Sequence, residues 1–142
     1  MGVEYIYDYI IGCLPDVDGF GNYNKQYDDD GVSDHSAFKQ SIREDHPGDV
    51  GVFVYNNTYS RSFSKRPYNT VEVQIAVNSY NDLNSTIQYL NNVFTNICNN
   101  LQSENIKIQN YKMLNLAPVG KNSNGLQVVV LNIRLNYIIL GE

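Results

Sequence analysis

The stretch YDDDGVSDH, Tyr27 to His35, sets four carboxylates and an imidazole within nine residues. Such a cluster suits a hard cation or acid–base work. A calcium loop of the helix–loop–helix kind needs oxygen ligands at its first, third and fifth positions, glycine at the sixth and glutamate at the twelfth. Counting from Asp16 places Asp18 third and Gly21 sixth, but Phe20 fifth and Tyr27 twelfth. Counting from Asp28 places Asp30 third, but Val32 fifth and Ser33 sixth. Both registers fail, so no metal is expected at Asp28, Asp29 or Asp30. His35 and His46 stand apart with no second pair of soft ligands.

Covalent catalysis needs a nucleophile, a base and a group that orients the base. Ser33, Ser36 and Ser41 lie near both histidines, but no strand–turn–helix elbow frames them. The paired carboxylates fall in a polar loop, where nothing would hold a shifted pKa. PVGKNSNG has glycines and a lysine without the order of a phosphate loop, and the Gly19–Gly21 stretch GFG follows no strand. Tyrosines near Arg61 and Arg66 could stack on bases, yet over the whole chain fifteen acids outnumber ten bases. No catalytic residue, metal ligand or cofactor is assigned, and the chain reads as a protein other than an enzyme.

The elements that would position any site come next. The 142 residues make one domain, 1–142, interrupted by an acidic loop at about 16–49. Asparagine and tyrosine are abundant, with twenty Asn and twelve Tyr, which points to a low-GC bacterial or viral coding genome. Net charge is −5, so no overall basic field draws the chain to nucleic acid or membrane. The distribution is polarised: residues 1–50 balance at −8 and residues 51–142 at +3. Cys13 and Cys98 form no disulfide framework and suit small packing residues in a reducing compartment. The start, MGVEYIYDYIIGCL, carries acids where a signal peptide needs bases, and no apolar run approaches the ~18 residues that span a bilayer. A cytoplasmic origin is expected.

Val3, Ile6, Tyr7, Ile10 and Leu14 recur at helical spacing and predict a short N-terminal helix. Within the acidic segment, DHSAFKQSIRE predicts a short helix with Phe38 and Ile42 facing inward. DVGVFVY, Asp49 to Tyr55, predicts a strand, followed by a polar basic turn. Thr70 to Ser79 alternates cleanly: Val71, Val73, Ile75 and Val77 face a core, and Glu72, Gln74, Ala76 and Asn78 face water or a partner. Leu83, Ile87, Leu90, Phe94, Ile97 and Leu101 form one helical stripe over about 82–101. Full burial of those six side chains would contribute roughly 9–18 kcal/mol before entropy costs. NIKIQNYKMLNL predicts a strand, Ala117 to Gly125 a turn, and LQVVVLNIRLNYIIL a long last strand. The expected fold is α+β: a mostly antiparallel sheet of about four strands, with an N-terminal helix and one long helix packed on one face.

Laid end to end, GVFVYNN, the basic turn, YNTVEVQIAVNSYNDLNSTIQYLNNVFTNI and NLAPVGKNSNGLQVVVLNIRLNYII resemble the bacteriophage tail terminator and minor capsid proteins. The likeness covers about residues 1–14 and 50–140. It lies in a strand of the form VQIxVxS, a helix with a late aromatic and a long last strand; the family's P-x-x-x-G turn stands here as APVGKNSNG, with Asn122 at the glycine position. Where that family usually reads VRS, this chain has Val77-Asn78-Ser79, and its acidic segment exceeds the usual connection.

The resemblance implies a structural virion protein. It would form a ring, as a hexamer, capping the head-proximal end of the tail tube and joining head or neck. Similar caps occur in contractile phage-derived bacteriocin particles. Expected partners are the tube protein, sheath, and neck or connector proteins, with DNA passing through the lumen unbound. Asp28, Asp29 and Asp30 of one subunit would meet Arg61, Lys65 and Arg66 of the next, or else the acids would line the lumen. The alternatives are a neck or head-completion protein, a small ligand-binding α+β domain, and a regulatory toxin-partner domain.

Overall fold

The alternating valines of VEVQIAV become an inner strand of a four-stranded antiparallel sheet in the computed structural model of the chain, which describes residues 3–15, 17, 20, 47–60, 68–79 and 83–141. The elements are α1 (Val3–Cys13), β1 (Val50–Ser60), β2 (Tyr68–Asn78), α2 (Leu83–Asn99), β3 (Ile106–Lys121) and β4 (Gln127–Ile139). The sheet order is β1-β2-β4-β3, with every neighbouring pair antiparallel. This is the expected α+β arrangement. The expected short helix around Phe38 and Ile42 lies outside the described residues.

The period-two pattern on the inner strands decides where the core sits. Val71, Val73, Ile75 and Val77 of β2 and Val129, Leu131, Ile133, Leu135 and Tyr137 of β4 are fully buried. Ile6, Tyr7 and Ile10 of α1 and Leu90, Val93 and Ile97 of α2 close over them in one cluster. Both helices therefore lie on the same face of the sheet.

Four boundaries or faces depart from expectation. β1 runs past Tyr55 to Ser60, because Thr58, Tyr59 and Ser60 pair with Thr70, Asn69 and Tyr68 after a bulge. Cross-strand pairing overrides the weak strand preference of asparagine there. β3 likewise runs through Ala117 and Pro118 to Lys121, absorbing its irregular residues in three register shifts, so the turn shrinks to residues 122–126. In α2 the buried residues are Thr86, Tyr89, Leu90, Val93 and Ile97. Leu83, Ile87 and Phe94 are only partly buried, and Leu101 lies beyond the helix and exposed. The stripe is rotated by about one position because Tyr89 and Thr86, which a count of aliphatics passes over, occupy core positions. Finally, Ala76 and Asn78 on the outward face of β2 are buried rather than wet.

The two helices finish each other. Neither has a basic residue in its last turn, and the last carbonyls of a helix lack partners within it. The Cys13 carbonyl at the end of α1 accepts from Asn96 Nδ2 of α2 at 2.9 Å. The Tyr9 hydroxyl of α1 donates to the carbonyls of Asn100, at 2.8 Å, and Ile97, at 3.3 Å. The β3–β4 turn is closed by Asn122, whose Oδ1 accepts the N–H groups of Asn124 and Leu126. Gly125 follows with a φ of 80°, the left-handed region that suits glycine.

Candidate interaction surface

The face of the sheet away from the helices collects the polar residues of all four strands. Direct register pairs set them side by side: Gln74 opposite Asn132, Glu72 opposite Arg134, and Thr70 opposite Asn136. Asn132 is the hub. Its Oδ1 accepts from Gln74 Nε2 at 3.2 Å and from the Tyr55 hydroxyl at 3.3 Å. Its Nδ2 donates to Asn115 Oδ1 at 2.6 Å. One amide thus links β1, β2, β4 and β3 in a single hydrogen-bonded row.

Beside that row Arg134 donates to Glu72 Oε1 at 3.1 Å, and Thr70 donates to Asn136 Oδ1 at 3.0 Å. Arg134 also stands opposite Lys112 of β3. Like charges directly opposite repel, and Glu72 offsets that repulsion. Arg134 is 46% exposed, so the ion pair is worth no more than about 1 kcal/mol. Burial and the neighbouring Glu72 carboxylate both raise the Tyr55 pKa, which keeps its hydroxyl a donor. The row orders a hydrogen-bonding surface with the Arg134–Glu72 ion pair and Lys112 beside it.

The edges of the sheet differ. At β1, Asn78 donates to the Asp49 carbonyl, so Asp49 and alternate residues turn their backbone toward β2. Val50, Val52 and Val54 turn theirs outward. The Val54 N–H is met by the Tyr7 hydroxyl of α1 at 3.0 Å. Burial raises the Tyr7 pKa and this hydrogen bond partly opposes it. At β3 the described residues cover only the first positions: Ile108 donates to the Leu101 carbonyl at 2.7 Å, and Gln102 bridges to Lys107. From Gln109 to Lys121 no described element pairs with the outer edge.

A cleft of about 550 Å³ lies along α2, lined by Val17, Phe20, Asn84, Ser85, Gln88, Tyr89 and Asn92. Phe20 stacks on Tyr89 with ring centroids 4.6 Å apart. Among the described residues the Tyr89 hydroxyl is buried without a hydrogen-bond partner, and burial raises its pKa. Cys13 is buried and its thiol pKa raised by that burial, with hydrogen bonds to Tyr9 and Asn100 working against the shift. Among the described residues no group of three or more His, Cys, Asp or Glu side chains is placed to hold a metal ion. No helix among them is long and apolar enough to cross a membrane.

The residues assigned from sequence to a subunit interface, Asp28, Asp29, Asp30, Arg61, Lys65 and Arg66, all lie outside the described residues. The amide row was legible only as a polar strand face. Which amides meet depends on the register of β2, β4 and β3, and alternation within one strand carries no information about register. No protein-family model matches the chain, and no curated protein matches it.

Proposed function

We propose that the chain is a structural virion protein, a tail terminator whose subunits form a ring at the head-proximal end of a phage tail tube. The observation that carries this reading is the antiparallel α+β sheet. Its element order matches that implied by VEVQIAVNS, the helix with Phe94, and the long last strand. A second support is the polar row on the sheet face away from the helices. Its side chains hydrogen-bond to one another in a row across four strands, which suits a broad contact surface better than a reaction centre. The ring joins the tube protein on one side and neck or connector proteins on the other, and the particle is put together in the host cytoplasm. No catalysis and no cofactor belong to this role.

The test is assembly state. The purified chain is measured for mass in solution and on isolated tail tubes. Multiples of 16.1 kDa closing on tube ends support the terminator reading. A chain that stays monomeric even with tubes overturns it.

The ligand-binding alternative has one observation in its favour, the cleft beside the orphaned Tyr89 hydroxyl. It predicts a monomer whose thermal midpoint rises with a small polar aromatic ligand.

A further inference from the structure

The outer edge of β3 concentrates two kinds of side chain among the described residues. Seven large apolar side chains are exposed among the described residues, and four sit on or next to this edge: Leu101, Tyr111, Leu114 and Val119. Val119 is the most open, at 62%. The described residues hold four lysines and arginines, and three of them, Lys107, Lys112 and Lys121, are on β3. The strand carries no acid. Tyr111 is braced from below, edge to face against Phe94 at 5.8 Å, so the strip has a fixed aromatic anchor.

Bulges and lysines commonly blunt a sheet edge against pairing with its own kind. β3 has three register shifts and three lysines. A two-fold pairing of β3 with another β3 would bring together two strands that carry lysines and no acid. The same lysines favour an acidic chain, so the repulsive element and the attractive one are the same residues. Within this sequence the acid is segregated: residues 1–50 balance at −8 while residues 51–142 balance at +3.

We propose that the outer edge of β3, from Gln109 to Lys121, receives a second copy of this chain through the acidic first fifty residues of that copy. The apolar side chains supply contact area and the lysines select the partner. Donor and acceptor patches differ, so each copy offers both, and the contact is head-to-tail, the kind that closes rings. This inference rests on the ring reading and names the junction within it.

A photo-activatable phenylalanine analogue in place of Val119, in the full chain, tests it. Irradiation of the assembled protein should cross-link one copy to residues 1–50 of another. Cross-links that reach only β3 of another copy, or only residues 51–142, overturn the proposal. So does an assembly with no cross-link between copies. Lys112 and Lys121 changed together to Glu should weaken self-association about tenfold or more at low salt, with a smaller loss at high salt. Circular dichroism guards against unfolding, and Val119→Asp, at a 62% exposed position, is a second variant that leaves the core intact. Unchanged association in both variants overturns the proposal. Copies that associate through β3 but ignore tube ends uphold this junction and overturn the terminator reading. A tube-capping ring in which position 119 never cross-links between copies does the reverse.

Discussion

Tyr9 shares one hydroxyl proton between two carbonyls at the end of the other helix. Tyr9→Phe keeps the ring and removes the donor, leaving those carbonyls with one partner fewer. The expected loss is about 1–2 kcal/mol in urea unfolding, with the slope of the transition unchanged. Tyr7, Tyr9 and Tyr89 share a titration behaviour. Burial holds the pKa of each above the ordinary 10.0. As pH rises, the unfolded chain then loses these protons first. The stability they contribute is fully present below pH 10 and falls as pH climbs through the folded values. Alkaline unfolding followed by circular dichroism should therefore begin near pH 10, and tyrosinate absorbance should rise together with the loss of structure. Early ionisation of all tyrosines in a still-folded protein would contradict this.

At the scale of elements, α2 rests on the sheet by a line through Leu90, Val93 and Ile97, with Phe94 on its flank against Tyr111. Phe94→Ala should cost about 2–3 kcal/mol, below the ~3–5 of a fully buried phenylalanine, and should loosen Tyr111. Thermal unfolding reads the first effect and tyrosine fluorescence the second. The helices and inner strands were legible because their apolar periods, 3.6 and 2, are set by burial of one face. β3 was legible only in part. Its core-facing pairs, Met113 with Ile133 and Leu116 with Leu131, are separated by a bulge, so no constant period survives along the strand. The rotation of α2 was hidden because Tyr89 and Thr86 count as polar, yet Tyr89 fills the core with its ring and Thr86 bonds Ser79 at 3.2 Å. The open-face row escaped because Asn115 and Asn132 are brought together only by that irregular register.

Over the whole molecule, charge is divided along the chain while the fold is held by apolar burial on one sheet face. The two can then be changed separately. Arg61, Lys65 and Arg66 reversed to Glu should weaken ring assembly on tail tubes at low salt and leave circular dichroism unchanged. Exposed pairs contribute only about 0–1 kcal/mol each, so the effect depends on their repetition around a ring. Normal capping by this triple variant would remove those three residues from the assembly contact, while the β3 lysines would remain open to their own test.

Because Tyr9 and Cys13 find their partners at residues 96–100, the end of α1 lacks those hydrogen bonds until that part of the chain has been made. At roughly 5–20 residues per second, that is a wait of about 5–20 seconds. Through that interval the amphipathic α1 carries Ile6, Tyr7 and Ile10 without α2 packed beside them. A chain released before residue 100 would keep part of that apolar face exposed, and would be recognised as unfinished by whatever binds such faces in the cell.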